Sequence, residues 1–340
     1  MTSQRLFILV AATLLAGCGE REPTSGGLKP VSGAKPEPIV VYASYADEAY
    51  LPRLFASFTE QTGIRVTVRH AAAEKNIDDV IENSGSPPAD LLLTPSVVGA
   101  WRAAVEGALR PLGSDVILER VPDVMRDPDG FWTAISFIPL QIIFNQQEIS
   151  SPEITRYEDL ANPEFKGKLC LTSATLDANR TLIAKLIRVH GNRPAEIIVR
   201  GWVSNLALPT FASDAELMHA IEAGSCAVGI VSFSAARRSA EHTDTMDVGQ
   251  INLSPVHGNV EAAGINRHAR EPEAARRLLE WMLSYPVQVS HSMATVAAPV
   301  ASEAYGNDVA LPAAWIGENV GAVAWLDEDA AKLAERAGYR

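Results

Sequence analysis

The apolar positions of the chain form short runs typical of buried strands, separated by stretches with helical spacing. Ile39–Tyr42 is continuously apolar, which favours a strand that is buried on both faces. Leu51–Thr62 has apolar residues at helical spacing and is followed by Gly63, a common helix stop. A strand, a helix, a strand and a helix are then predicted at 64–68, 77–83, 89–93 and 97–108. This alternation predicts a parallel sheet with helices on both faces.

A second strand–helix series follows the strand-rich stretch 131–145. Its predicted helices are 157–160, 178–190, 197–205, 214–223, 272–283 and 327–337, and its predicted strands are 168–171, 227–232 and 256–265. Two α/β series joined by extended segments predict two lobes with a cleft between them. Ligands of open α/β sheets bind beyond the carboxyl ends of the strands, so we expect the binding site in this cleft.

The first eighteen residues have the pattern of a lipoprotein signal peptide. Arg5 precedes the apolar run Leu6–Leu15, which is too short to span a hydrocarbon layer of roughly 30 Å. The sequence Ala16-Gly17-Cys18 then completes a lipobox, so we expect acyl chains on the Cys18 thiol and a membrane anchor. Residues 19–38 are rich in glycine, proline, serine and charge, which predicts a flexible tether.

Composition and motifs exclude several classes of function. The 340 residues are 47% hydrophobic and carry a net charge of −12, and this acidic balance argues against nucleic acid as a partner. The sequence contains no P-loop, GxSxG or dinucleotide-binding pattern, and its seven histidines show no metal-binding spacing. It also shows no nucleophile–base pair. We therefore expect a binding protein without a resident cofactor rather than an enzyme.

Two cysteines remain in the predicted folded part, Cys170 and Cys226, each in an apolar, strand-like run. Thiols of exported proteins tend to pair, and neighbouring strands can bring two Cα atoms within about 6 Å. This pattern alone leaves two outcomes open, a disulfide or two buried free thiols.

Candidate ligand-binding residues lie where predicted strands end. Tyr45 and Asp47 occupy the loop after the first strand. Ser232 and Ser234 lie at the end of the strand that starts near Cys226, with Arg237 close by as a cation for a carboxylate or phosphate. The alternative for the acidic loop residue is that it caps the next helix.

A third candidate group lies between a predicted strand and the helix that follows it. A helix N-terminus with nearby hydroxyls can bind an anion, because its backbone N–H groups are unpaired. The alternative is simple capping of this helix by Thr175 or Asp177. The residues of the group are Ser173, Ala174, Thr175 and Asn179.

The sequence resembles the periplasmic ferric-ion-binding proteins, the solute-binding components of iron ABC importers. The matching motifs lie in order over roughly residues 39–335; they are Val41-Tyr42-Ala43-Ser44, Pro88-Ala89-Asp90-Leu91, Tyr157-Glu158-Asp159-Leu160-Ala161-Asn162-Pro163, Phe165-Lys166-Gly167-Lys168-Leu169-Cys170 and Ala220-Ile221-Glu222-Ala223-Gly224. The resemblance implies an α/β, two-lobed, type II solute-binding fold with two crossover strands, which closes on its ligand by a hinge. Some members carry a disulfide in this context, so the resemblance also implies a bridge between Cys170 and Cys226.

The usual iron ligands of that family are missing from this sequence. Typical members have adjacent tyrosines where this chain reads Ser232-Phe233-Ser234-Ala235-Ala236, and their usual histidine and glutamate fall at Ala46 and near Pro95. Fe³⁺ is a hard cation that prefers anionic oxygen ligands, so a replacement set would have to come from other residues. The available candidates are Tyr45, Asp47, Glu74 and Asp177. Three ligand classes therefore stay open: iron(III), chelated iron, and an anionic or organic solute.

We expect a monomeric, lipid-anchored periplasmic protein that captures its ligand between two lobes and delivers it to the transmembrane permease subunits of an ABC importer. Fe³⁺ would then be a transported ligand. The lobes are predicted at 39–136 with 254–310 and at 137–253, with a helical segment, 311–340, packed on them. One alternative is a sensory domain that presents its ligand state to a membrane receptor, and another is an enzyme on the same scaffold.

Overall fold

The structure is a computed structural model that describes residues 37–45, 47–150, 153–242, 247–301, 317 and 319–340. The predicted signal peptide with Cys18 and the tether up to residue 36 lie outside the described residues. So do Ala46 and most of the segment 302–318, which includes the end of the predicted lobe 1 and the start of the predicted C-terminal segment.

The first half of the fold is a sheet with helices on its faces. Its sheet has the strand order β2-β1-β3-β9-β5, with β1 parallel to both β2 and β3. The elements are β1 (Ile39–Ala43), α1 (Tyr50–Thr62), β2 (Val66–His70), α2 (Ala73–Ile81), β3 (Leu91–Thr94), α3 (Val97–Val105), β4 (Leu109–Arg110), α4 (Asp115–Arg120), β9 (Gly258–Asn266), α9 (Pro272–Met282) and α10 (Tyr285–Thr295).

Local sequence explains the first helix of this unit. In α1, Leu51, Phe55 and Phe58 are buried at helical spacing against the sheet. The helix ends at Gly63, which has a φ of 73° and donates its backbone N–H to Thr59 O. Glycine is favoured there because the left-handed conformation carries no Cβ penalty.

The strand β5 (Trp132–Asn145) joins the two halves of the molecule. Residues 132–139 of β5 pair antiparallel with β9, whereas residues 140–145 pair with β7 (Val228–Ser232) and β8 (Val248–Ile251). The register shifts between Ala134 and Ser136, which marks an irregularity in the strand. One continuous strand therefore belongs to both sheets.

The second half of the fold surrounds β7 with helices from two parts of the chain. The C-terminal helix α11 (Asp327–Ala337) follows a 3-10 helix at Val320–Leu326, and both contact α5. The remaining elements are β6 (Leu169–Cys170), α5 (Asp177–His190), α6 (Asn192–Asn205), α7 (Asp214–Glu222) and α8 (Phe233–His242).

Buried apolar side chains form two main clusters. One draws on residues 39–137 and 256–300, and the other on residues 140–253 and 323–339. Along β5 the change of cluster falls between Phe137 and Leu140. A smaller cluster surrounds Cys170 and Cys226, which form a disulfide with a Cα–Cα distance of 5.9 Å. The predicted α/β fold is confirmed, and the implied disulfide is present.

Several predicted elements differ from the structure. The helix predicted at 157–160 is a short 3-10 helix, Tyr157–Ala161. The strand after Cys226 ends at Ser232 as predicted, but the helix α8 that follows it was not predicted; the Ser232 hydroxyl accepts a hydrogen bond from Ala235 N at 3.3 Å at its start. The helix α10 was not predicted, since Gln288, His291 and Ser292 lie on its buried face and hide the apolar periodicity.

Candidate solute-binding cleft

A pocket of about 130 Å³ lies between the two halves of the fold. We call it the interlobe pocket. The end of β3, the loop that follows it and helices α2 and α3 line one side, and the start of α5 lines the other. Its charged lining residues are Glu74, Arg102, Asp177, Arg180 and Asp327.

The charges of the interlobe pocket are paired within each side. Arg102 donates to Glu74 at 2.9 Å and to Asp78 at 2.6 Å. On the opposite side, Arg180 donates to Asp177 at 2.7 Å and to Asp327 at 2.9 Å. The Arg180 side chain is only 23% exposed and lines the pocket.

Negative charge exceeds positive charge in the interlobe pocket, with three carboxylates against two guanidinium groups. Burial raises the pKa of Asp177, Arg180 opposes this shift, and the charges of Asp327 and Glu74 raise the pKa further. Glu74 and Asp177 lie in different halves of the fold, so the effect of Glu74 on the pKa of Asp177 acts across the interlobe pocket. A cation in this pocket would relieve the repulsion among the carboxylates.

A second pocket of about 260 Å³ lies on the β7 side of the cleft and includes two of the predicted site residues, Asn179 and Ser232. The Asn179 amide donates to Thr172 O at 3.2 Å, to Thr172 Oγ1 at 2.8 Å and to Ser173 O at 2.9 Å. Asn179 is therefore buried and holds the β6–α5 loop in shape.

The other residues of the β6–α5 loop differ in exposure. Ala174 is buried, whereas Thr175 is exposed. The hydroxyls of Ser173 and Thr175 lie 2.9 Å apart, and Thr175 N donates to Ser173 Oγ at 3.2 Å. These hydroxyls stand beside the N-terminus of α5, where an anion would find unpaired backbone N–H groups.

Ser232 and Ser234 lie where β7 passes into α8. The Ser232 hydroxyl donates to Asp214 Oδ2 at 2.6 Å, and the Ser232 N–H donates to the same oxygen at 2.9 Å. Ser234 is buried, with its hydroxyl 3.2 Å from that of Ser232. The carboxylate of Asp214 already occupies this corner, so the two serines are parts of a capped helix start.

Asp47 is exposed and does not line either pocket of the described cleft. Its carboxylate accepts from Ala49 N at 3.0 Å and from Arg53 at 2.5 Å. The hydrogen bond from Arg53, together with that from Ala49 N, holds the pKa of Asp47 below its usual range. Burial acts in the opposite direction but does not cancel this effect. The structure thus places Asp47 in the turn before α1, where its carboxylate binds Ala49 N and Arg53 but makes no capping bond to the first turn of the helix.

Tyr45 turns inward, into a polar cluster that the sequence did not reveal. We call it the lobe 1 polar cluster; its members are Tyr45, Tyr50, Ser136, Glu261 and His291. Tyr50 Oη lies 2.6 Å from His291 Nδ1, and His291 Nε2 lies 3.3 Å from Glu261 Oε2. The Ser136 hydroxyl also donates to Glu261.

The electrostatics of the lobe 1 polar cluster follow from its burial. Burial alone would raise the pKa of Glu261, but His291, with Ser136 and Tyr45, holds it below its usual range. Burial also raises the pKa of Tyr45 well above its ordinary value, and the charge of Glu261 adds to that shift. A glutamate inside the apolar strand β9 was the one signal in the sequence, because a charged residue within a buried strand needs a partner.

The substitute ligand set suggested by the sequence does not assemble. Glu74 and Asp177 reach the interlobe pocket, Tyr45 belongs to the lobe 1 polar cluster, and Asp47 points away. Within the described ranges, no group of three or more histidine, cysteine, aspartate or glutamate side chains is arranged to hold a metal ion. In the same part of the chain, every helix is too short or too polar to span a bilayer.

Comparison with known proteins places this architecture among extracellular binding proteins. The sequence profile of the family described as bacterial extracellular solute-binding protein matches residues 39–288. The chain belongs to this family.

Several relatives of the chain are iron proteins. Iron uptake protein A1 from Synechocystis sp. is 27% identical over 306 residues, which is 84% of this chain and 83% of that protein. The Fe(3+)-binding periplasmic protein of Serratia marcescens is 23% identical over 178 residues, which is 51% of each chain. The structure of Trichodesmium IdiA (FutA) in complex with iron and citrate ligands superposes with a TM-score of 0.78 at 27% identity, covering 89% of this chain and 99% of that one.

These relatives confirm the resemblance and the two-lobed type II fold that the sequence predicted. They are binding proteins for iron uptake rather than enzymes, as expected from the absence of a nucleophile–base pair in the sequence. The chain is accordingly a periplasmic solute-binding protein of the ABC-import type.

Proposed function

We propose that this protein captures iron(III) in chelated form, with a carboxylate chelator, and presents it to an ABC permease. The observation that carries the proposal is the interlobe pocket, where Glu74 from one half of the fold and Asp177 from the other face the same space. Carboxylate oxygens suit hard cations. The iron–citrate complex of the Trichodesmium relative supports the same ligand class.

Because the interlobe pocket is lined from both halves of the fold, ligand binding can change the arrangement of the two halves. A ligand that contacts Glu74 and Asp177 together favours the arrangement in which the two halves approach each other. Such a ligand shifts the population toward the closed form by its differential affinity for that form. The permease then distinguishes the loaded protein by its shape.

A chelate suits this cleft better than a bare ion. The segment Ser232-Phe233-Ser234-Ala235-Ala236 stands where typical ferric-ion-binding proteins have their tyrosine pair, so the protein supplies fewer oxygen anions at that corner. The hydroxyls of Ser173 and Thr175 beside the N-terminus of α5 can hold a free carboxylate of the chelator. The chelator then provides the remaining oxygen ligands of the iron.

Calorimetric titration of the metal-free protein tests the proposal. We expect ferric citrate to bind and citrate alone to bind far more weakly, because the carboxylates of the pocket require a cation. Asp177→Asn and Glu74→Gln should each lower the affinity for ferric citrate by about 10- to 150-fold, the loss of one interaction with a charged group.

Glu106→Gln is the matched control, since Glu106 is an exposed carboxylate at the end of α3, outside the interlobe pocket. Its affinity should equal that of the unaltered protein. Absence of ferric citrate binding, or equal binding of citrate with and without iron, would exclude chelated iron as the ligand.

Location and partners complete the proposal. Lipidation of Cys18 would hold the protein at the membrane surface, and residues 19–38 would let the folded part reach the permease. We further propose that the protein acts as a monomer at the transmembrane subunits.

A further inference from the structure

The lobe 1 polar cluster takes no part in the interlobe pocket and needs an explanation of its own. Glu261 and His291 have side chains that are only 11% and 5% exposed, yet one is acidic and the other basic. Replacing a buried ion pair with apolar residues of similar size is often neutral or stabilising. A merely structural role therefore gives little reason for two ionisable groups at this place.

The positions of Glu261 and His291 suit two ligands of one metal ion. His291 Nε2 and Glu261 Oε2 are 3.3 Å apart. If each lay about 2.1 Å from a shared metal, the two bonds would enclose an angle of about 100°, which is within the range of tetrahedral and octahedral sites. The observed spacing is therefore compatible with two bonds of ordinary length to one metal ion.

Tyr45 offers a third donor to the same space. Its hydroxyl is buried and makes no hydrogen bond of regular geometry with the residues that the structure describes. The hydroxyl and the Glu261 carboxylate are close enough to influence each other electrostatically. A buried polar atom without a partner calls for a ligand or a specific role.

Tyr50 supports His291 from the opposite side of the imidazole ring. Its hydroxyl lies 2.6 Å from His291 Nδ1, the ring nitrogen opposite Nε2. Metal-binding histidines almost always make a hydrogen bond with their second nitrogen, which fixes the ring and leaves the first nitrogen free for the metal. Ser136 orients the Glu261 carboxylate in the same way.

We propose that Tyr45, Glu261 and His291 form a metal site for Fe(III), separate from the interlobe pocket. Phenolate and carboxylate oxygens favour a hard trivalent ion, and the imidazole nitrogen is a common third ligand of iron. Binding requires the Tyr45 hydroxyl and any protonated His291 to release their protons to solvent. The choice of iron over another hard cation rests on the proposed function, whereas the donor set rests on the structure alone.

Visible absorption tests the site directly, because a tyrosinate bound to Fe(III) gives a charge-transfer band. The metal-free full chain is titrated with ferric citrate, and both the band and the heat of binding are recorded. We expect the charge-transfer band to reach its full intensity when one equivalent of iron is bound at Tyr45. The band should be absent in Tyr45→Phe. Glu261→Gln and His291→Gln should lower the affinity of this band-forming site at least tenfold.

Tyr42→Phe is the matched control. Tyr42 is a buried tyrosine three residues away in β1, and its hydroxyl donates to Pro87 O at 2.6 Å. The same loss of a buried hydroxyl should leave the band unchanged. Tyr50→Phe should keep the band but weaken iron binding by about 10- to 100-fold, the usual effect of removing the support of a metal-binding histidine.

The results separate this site from the proposed function. Heat of binding without a visible band, or a band that survives Tyr45→Phe in a protein whose circular dichroism shows it folded, would overturn the Tyr45 site and leave chelate capture intact. A band that disappears in Glu74→Gln with Asp177→Asn, but persists in Glu261→Gln, would also overturn it. Absence of both heat and band would overturn the Tyr45 site and would also count against the proposed function.

Discussion

Ser136 on β5 and Glu261 on β9 are register partners, and the Ser136 hydroxyl donates a hydrogen bond to the Glu261 carboxylate. The bond lies beside the irregularity of β5, four residues before Leu140, where the strand begins to pair with β7. It therefore ties together two strands at the point where the halves of the molecule meet.

Ser136→Ala should lower the free energy of unfolding by about 1–3 kcal/mol, because a buried carboxylate loses one of its donors. Urea denaturation followed by circular dichroism measures the change. Ser57→Ala serves as the control, since Ser57 is exposed on α1. Equal denaturation midpoints for the two variants would show that the bond contributes nothing to stability.

His257 should make the protein less stable in acid. Burial lowers the pKa of His257 to about 3, and the charge of Lys185 adds to the shift, although a backbone hydrogen bond at Ala178 opposes it. Between about pH 6.5 and 3 the unfolded chain binds a proton that the folded protein excludes. Stability attributable to His257 therefore falls as the pH decreases, by up to about 1.4 kcal/mol per pH unit.

The comparison of two histidine variants isolates this effect from the titration of carboxylates. The difference in unfolding free energy between the unaltered protein and His257→Gln should vary with pH over this window. His268→Gln, which changes an exposed histidine, should give a nearly constant difference. Parallel stability profiles for all three proteins would contradict the prediction.

The disulfide should account for a large share of the stability of the second half. Cys170 and Cys226 are separated by 56 residues, and closing a loop of that size stabilises a protein by about 4 kcal/mol in the chain-entropy account. The double variant Cys170→Ser with Cys226→Ser should lose roughly this amount in urea denaturation. Reductant should destabilise the unaltered protein to a similar extent and leave the variant unaffected.

Ser173 and Ser232 should respond differently to the loss of their hydroxyls. Ser232 bonds to Asp214 and starts α8, so Ser232→Ala should cost about 1 kcal/mol of stability, as other lost helix caps do. The Ser173 hydroxyl bonds within its loop, to Thr175, so Ser173→Ala should weaken ferric citrate binding about tenfold with little effect on stability. Calorimetry and urea denaturation of both variants decide between the two roles.

The proposed membrane attachment rests on Cys18, which lies outside the described part of the chain. If Cys18 carries the proposed acyl chains, Cys18→Ala should move the protein from the membrane fraction to the soluble periplasmic fraction, because the anchor is lost. Immunoblotting of fractionated cells measures this shift. Cys170→Ser with Cys226→Ser should leave the distribution unchanged, which excludes a general effect of cysteine loss.

The sequence by itself determined much of the order of strands and helices. Ile39–Ala43 is apolar throughout and buried throughout, and α1 buries Phe55 and Phe58 of its helically spaced apolar residues, together with Leu51. Such elements are predictable because their periodicity and their end signals are local. The α/β class and the two-lobed fold follow from their alternation along the chain.

Only the tertiary structure decided which polar groups meet. Tyr45 and Asp47 are two residues apart in one loop, yet Tyr45 turns toward Glu261 and Asp47 toward Arg53. Tyr50 and His291 are 241 residues apart and lie 2.6 Å from each other. The periodicity of the sequence does not show such contacts, because they depend on how β1, α1, β9 and α10 pack. The polar inner face of α10 could not be recognised for the same reason: Gln288 and His291 are buried there with partners that lie elsewhere in the chain.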